Sequence, residues 1–204
     1  MSEPSSKRPR SSVPVCRSHG APLGSAVRQN LPVEVEEGLC GVTGALLELT
    51  YCLQALVRAT IFEQDDVGLP RVAAFFRRES EEQQEQAEAM LAYLSDRGGH
   101  YCNKDVQKPG CEGICAIVPA LEMMLGRWKE LLAIMTELSQ LAKEHGDPHT
   151  ASVVKGCFLT RLVAKVKALG DILSSARRVG CTSEGSGGCG EYLIEQLQAE
   201  LSGI

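Results

Sequence analysis

Four stretches of this chain repeat their apolar residues with the period of an α-helix, and each is too long and too one-sided to stand alone. Leu46, Leu49, Leu53, Leu56 and Val57 form one stripe, and Val72, Phe76, Gln83, Gln86, Met90 and Leu94 a second. Val118, Leu121, Leu125, Trp128, Leu132 and Met135 form a third, and Val154, Phe158, Leu162, Val166, Leu169 and Leu173 a fourth. An isolated amphipathic helix gains most of its stability by covering its apolar face against other helices. Four such faces of similar length close on one another as a four-helix bundle.

Local signals place the ends. The first helical pattern runs from Val35 to Phe62, with Gly38, Gly41 and Gly44 weakening its first turns, so that this end either frays or packs closely on a neighbour. Asp65-Asp66-Val67-Gly68-Leu69-Pro70 reads as a turn, with Pro70 at a helix start where its missing N–H costs nothing. The second helix ends at Arg97-Gly98-Gly99, glycine being suited to a left-handed cap. His100 to Ala116 is longer than an ordinary bundle turn and is expected to cross the length of the bundle. The third helix spans Ile117 to His145. In Gly146-Asp147-Pro148, glycine closes it, Asp147 caps the fourth helix and Pro148 takes the first position. The fourth helix is expected to continue to Arg178, and a Gly/Ser-rich break precedes a short fifth helix from Glu191 to Leu201.

Composition agrees with an all-α class. Aromatic residues make up 4% of the 204, while strong helix formers are plentiful, which disfavours a sheet protein. The net charge of -5 argues against nucleic acid as a partner of the folded domain, since phosphate binding needs a basic face. A cation or an acidic-surface assembly fits better. No apolar run is expected to cross a bilayer, so no membrane partner is expected. Residues 1–24 are rich in Ser, Pro and Arg, lack an apolar period and read as a disordered tail; residues 25–204 form the domain. The cluster Lys7-Arg8-Pro9-Arg10 in the tail has the composition of a nuclear-import patch, beside the plainer reading of the chain as cytoplasmic. The nine cysteines form an odd set in a chain of this length, which favours reduced thiols over a disulfide scaffold. His100, Cys102, Cys111 and Cys115 could together offer four zinc ligands, against the plainer reading of free surface thiols.

Ser25-x-Val27-Arg28-Gln29-Asn30, Phe62-x-x-Asp65-Asp66-Val67-x-Leu69, Arg97-Gly98-Gly99, Asp105-x-x-Lys108-Pro109, Asp147-Pro148-His149, Leu169-Gly170-Asp171 and Glu191-Tyr192-Leu193 recur together. In this set the chain resembles animal ferritins, most closely their heavy and heavy-like chains, with no gap in spacing from Glu48 to Asp171. The resemblance implies a ferritin-like four-helix bundle with a long crossover between the second and third helices and a short fifth C-terminal helix. It also implies self-assembly, alone or with other ferritin subunits, into a hollow octahedral shell that stores iron as ferric mineral.

Residue by residue, the resemblance also exposes a loss. Glu48 stands at the first-helix carboxylate of the family's oxidising centre, and Glu82 also matches a family glutamate. Gln83 replaces the bridging Glu, Gln86 the His, Trp128 the third-helix Glu and Leu162 a Gln, while Ala55 stands where the family has a Tyr. A neutral amide is a poor ligand for a hard cation and an indole has only a donor N–H, so no di-iron catalytic centre and no ferroxidase activity are expected. Gln83 and Gln86 are expected to hydrogen-bond within the bundle, with Glu48 as a partner. Glu81, Glu82 and Glu85 match the acidic face on which light-type ferritin chains nucleate mineral, so Glu48, Glu81, Glu82 and Glu85 are the candidate weak metal ligands. Ser152 and Lys155 replace the two carboxylates of the family's three-fold entry channel, which removes its attraction for cations. Two functional readings follow: an iron-storage subunit without an oxidising centre, or an iron-independent interaction protein that keeps the bundle and acts in the nucleus.

Overall fold

In a computed structural model of the protein, residues 25–59, 69–102, 110–111, 114 and 116–179 are described. Every regular element among them is helical: α1 (Val33–Ala59), α2 (Pro70–Asp96), α3 (Ile117–Glu144), α4 (Pro148–Val153), a π-helical segment (Val154–Leu159) and α5 (Thr160–Arg178). The expected fifth helix at Glu191, the tail at 1–24 and most of the turn before Pro70 lie outside the described residues.

The four predicted stripes are the core. Leu46, Leu53 and Leu56 of α1, Phe76, Met90 and Leu94 of α2, and Trp128 and Met135 of α3 are all but inaccessible to water, with Phe158, Leu162, Leu169 and Leu173 closing the fourth side. α1 packs on α2 and α3, and α3 packs on α4, the π segment and α5. Gly38, Gly41 and Gly44 are buried inside a helix that begins at Val33, so they serve close packing and do not fray the first turn. That helix corrects the expectation about membranes, because Val33–Val57 is long and apolar enough by length and composition to span one. Two thirds of that window is buried against the other helices, as befits the core helix of a bundle.

The helix ends follow the local chemistry. Gly98 has φ +69°, and a Cβ there would sit 2.4 Å from Ser25 Oγ and 2.8 Å from the Arg28 backbone N, so both its conformation and its space require glycine. Gly146 has φ +75°. Asp147 accepts a hydrogen bond from the Thr150 backbone N–H at 3.1 Å, and Pro148 opens α4. Arg97 at the end of α2 ties these ends together. Its guanidinium reaches both carboxylate oxygens of Asp147, at 3.3 and 3.2 Å, donates to Tyr93 Oη at 2.6 Å and to the Asn30 carbonyl at 2.8 Å.

The fourth rod is not one continuous α-helix. Between Val154 and Leu159 the hydrogen bonds lengthen to the π pattern, and Thr160 Oγ1 donates to the Lys155 carbonyl at 3.0 Å. The expected unbroken helix is corrected there. Phe158 and Leu162 still face inward on either side of the junction.

Candidate functional site

The positions that the resemblance matches to the family's oxidising centre lie on α1, α2, α3 and α5. Trp128 comes from α3 and is 1% exposed; Leu162 comes from α5 and is 5% exposed. Gln83 lies on the inward stripe of α2 and is also 1% exposed, and Ala55 and Glu48 are half-buried on α1. What organises these surroundings is a residue the sequence reading passed over. Lys165 of α5 turns inward, 4% exposed, and its Nζ lies 2.5 Å from Glu79 Oε2 and 2.5 Å from Glu82 Oε2. The same ammonium sits 5.5 Å from the centre of the Trp128 ring, a cation–π distance.

The electrostatics are therefore those of a filled cation site. Two carboxylates converge on one charge, but the charge is an ammonium fixed to the chain. Burial pushes the Glu79 carboxyl up, and the adjoining Lys165 only partly draws it back. Glu82 is better solvated and also accepts a hydrogen bond from the Gln86 amide at 3.3 Å. An open cleft of about 290 Å³, lined by Glu82, Arg161, Ala164 and Lys165, leads from this cluster to solvent.

The expected hydrogen-bonded plug of Gln83, Gln86 and Glu48 does not form. Gln86 turns to Glu82, and neither the amide oxygen nor the amide nitrogen of Gln83 has a hydrogen-bond partner. The Trp128 indole N–H is also unpaired.

The outer carboxylates are arranged differently. Glu81 and Glu85 are exposed one turn apart on α2, separate from the buried cluster. Among the described residues, no three His, Cys, Asp or Glu side chains are grouped tightly enough to hold a metal ion. Ser152 and Lys155 are exposed, Ser152 near the end of α4 and Lys155 in the π segment.

The crossover constellation is overturned. Cys102 is disulfide-bonded, which removes it as a thiolate ligand and corrects the expectation of uniformly reduced thiols. Cys111 is outside any disulfide but buried at 4% exposure, not a surface thiol. His100 contributes its backbone, its N–H donating to Glu36 Oε1 at 2.7 Å and its carbonyl accepting from the Cys40 thiol at 3.4 Å. Cys115 lies outside the described residues.

The ferritin-like domain family matches residues 46–179, from the middle of α1 to just past the end of α5. The chain belongs to the ferritin family. It is 33% identical to the oocyte isoform of ferritin light chain from Xenopus laevis over 173 residues, covering 85% of this chain and 95% of that protein. It is 34% identical to ferritin light chain 1 of Mus musculus over 180 residues, covering 86% and 97%. A soma ferritin of Lymnaea stagnalis is 31% identical over 172 residues, covering 84% and 94%. These similarities establish a ferritin without singling out the heavy-chain-like subtype that the turn motifs suggested. In this ferritin bundle Lys165 of α5 ion-pairs with Glu79 and Glu82 of α2 and stacks its charge over Trp128 of α3. The signal for Lys165 was present in the sequence, at three residues after Leu162 and four before Leu169, on the fourth stripe.

Proposed function

We propose that this chain is a ferritin-family iron-storage subunit without a functional ferroxidase centre, forming or joining a hollow shell that holds ferric mineral. The observation that carries the reading is the Lys165 ammonium clasped by Glu79 and Glu82 against Trp128. Two iron ions side by side need several anionic oxygens to offset their charge. Here the buried Glu79 and the partly exposed Glu82 are already ion-paired, and the remaining positions offer amides, an indole and an alkyl chain. Any iron the subunit meets is left to Glu81, Glu85 and the half-buried Glu48, as a weak nucleating surface and not as a redox centre. Glu82, included with them on sequence grounds, is weakened as a ligand by its ion pair. With Ser152 and Lys155 in place of channel acids, a shell of this chain alone admits iron poorly, which favours co-assembly with other ferritin subunits in the cytoplasm.

The test is oxygen-dependent Fe(II) oxidation by the purified chain. The expected rate equals that of buffer. Saturable turnover would overturn the reading.

A further inference from the structure

Away from the altered centre, three sulfur side chains meet where α1, the crossover and α3 touch. Cys52 of α1 and Cys111 of the crossover are both thiols outside any disulfide, 3% and 4% exposed. Cys111 is near enough to act on the Cys52 thiol. Cys52 Sγ is also 3.9 Å from the thioether sulfur of Met123 on α3, which is only half-buried. Burial pushes the Cys52 thiol up, the neighbouring Cys111 adds to that, and the positive charge of Arg127 draws it back.

Sulfur donors of this kind discriminate by softness. Thiolate and thioether ligands select soft ions such as Cu(I) and bind hard cations such as Fe(II) or Mg(II) poorly. Three sulfurs from three separate elements are also held by the fold, so little ordering remains for an incoming ion to impose. Arg127 lies close enough to offset part of the negative charge that two thiolates would leave around a monovalent ion.

We propose that Cys52, Cys111 and Met123 form a three-sulfur site for a soft monovalent cation, of which Cu(I) is the probe. Both thiols lose a proton as the ion enters, two protons being released per ion bound, and the metal keeps its oxidation state. This site is independent of the iron-handling surface, so it stands whether or not the chain stores mineral.

The experiment is an anaerobic titration of the reduced full-length chain with Cu(I) held by a coloured chelator. One equivalent is expected to leave the chelator with high affinity, with a thiolate-to-copper ultraviolet band and protection of Cys52 and Cys111 from alkylation in peptide mapping. Cys52→Ser or Cys111→Ser should weaken that equivalent at least 100-fold. Met123→Leu, which keeps the packing, should weaken it about 10-fold, and Cys157→Ala, at an exposed thiol, should leave it unchanged. Should a serine variant not fold, the release of two protons per copper bound by the unmodified chain and the Met123→Leu shift decide the matter. Unprotected Cys52 and Cys111 at one equivalent of copper would overturn the proposal. So would a Cys52–Cys111 disulfide in the mapped peptides, which would make the pair a redox couple.

Discussion

At the scale of single residues, the Lys165 ammonium governs what the centre can do. Removing one partner of a buried ion pair leaves the other charge stranded, which costs about 3–5 kcal/mol. Lys165→Met should therefore destabilise the chain by about that amount in chemical denaturation. Adding Glu79→Gln to that variant should restore part of the loss, because the stranded carboxylate is then gone; a double variant whose loss equals the sum of the two single losses would show that the pair is not energetically coupled. The same residue limits any attempt to rebuild an oxidising centre. Gln83→Glu, Gln86→His and Trp128→Glu together should gain little Fe(II) binding, since the ammonium still occupies the carboxylates. Lys165→Ala in the same background should reveal it by titration calorimetry. Lys165 was overlooked in the sequence because a periodicity count follows apolar residues, and a lysine inside a stripe reads as an interruption. The matching Glu79, three residues after Phe76 and four before Gln83, was legible by the same spacing.

At the scale of elements, the helix junctions were the most readable part of the sequence, because their chemistry is local. Gly146-Asp147-Pro148 specifies a stop, a cap and a start within three residues, and the structure uses each in that role. Burial raises the Asp147 carboxyl, but hydrogen bonds from the Thr150 side chain and backbone N–H and from Arg97 outweigh it, holding the carboxyl below its ordinary 3.8. A carboxyl lowered in the folded state contributes stability that is present above its unfolded value and is lost as pH falls through the folded one. Asp147→Asn should thus lower stability at neutral pH by about 1 kcal/mol and flatten the acid limb of the stability curve below about pH 4, followed by circular dichroism. By contrast, the π segment was not legible. Val154 to Leu159 carries no proline, and its single Gly156 is not a break. A switch from one hydrogen-bonding period to a wider one depends on how the rod seats against α3, which no local signal encodes.

At the scale of the whole molecule, the stripes and the gapless spacing from Glu48 to Asp171 carried the bundle and its family, and the structure and the similarities agree on both. Assembly is a separate matter, tested by size. Light scattering of the purified chain should give a large hollow particle, or one after co-expression with an active heavy chain; a monomer or dimer in both preparations would favour an iron-independent interaction protein over the storage subunit.

The cation at the centre of this bundle is covalently attached, and that changes how the fold relates to its surroundings. An exchangeable ion stabilises the state that binds it in proportion to its free concentration, so a protein with a vacant carboxylate pair grows more stable as the metal becomes plentiful. A lysine side chain has no such dependence: it is present at one equivalent in every copy, it cannot be withdrawn by a chelator, and it cannot be handed on. The melting temperature of this chain should therefore stay constant, through this site, across additions of Fe(II) or of a chelating agent. The helices are held together in scarcity and in surplus alike.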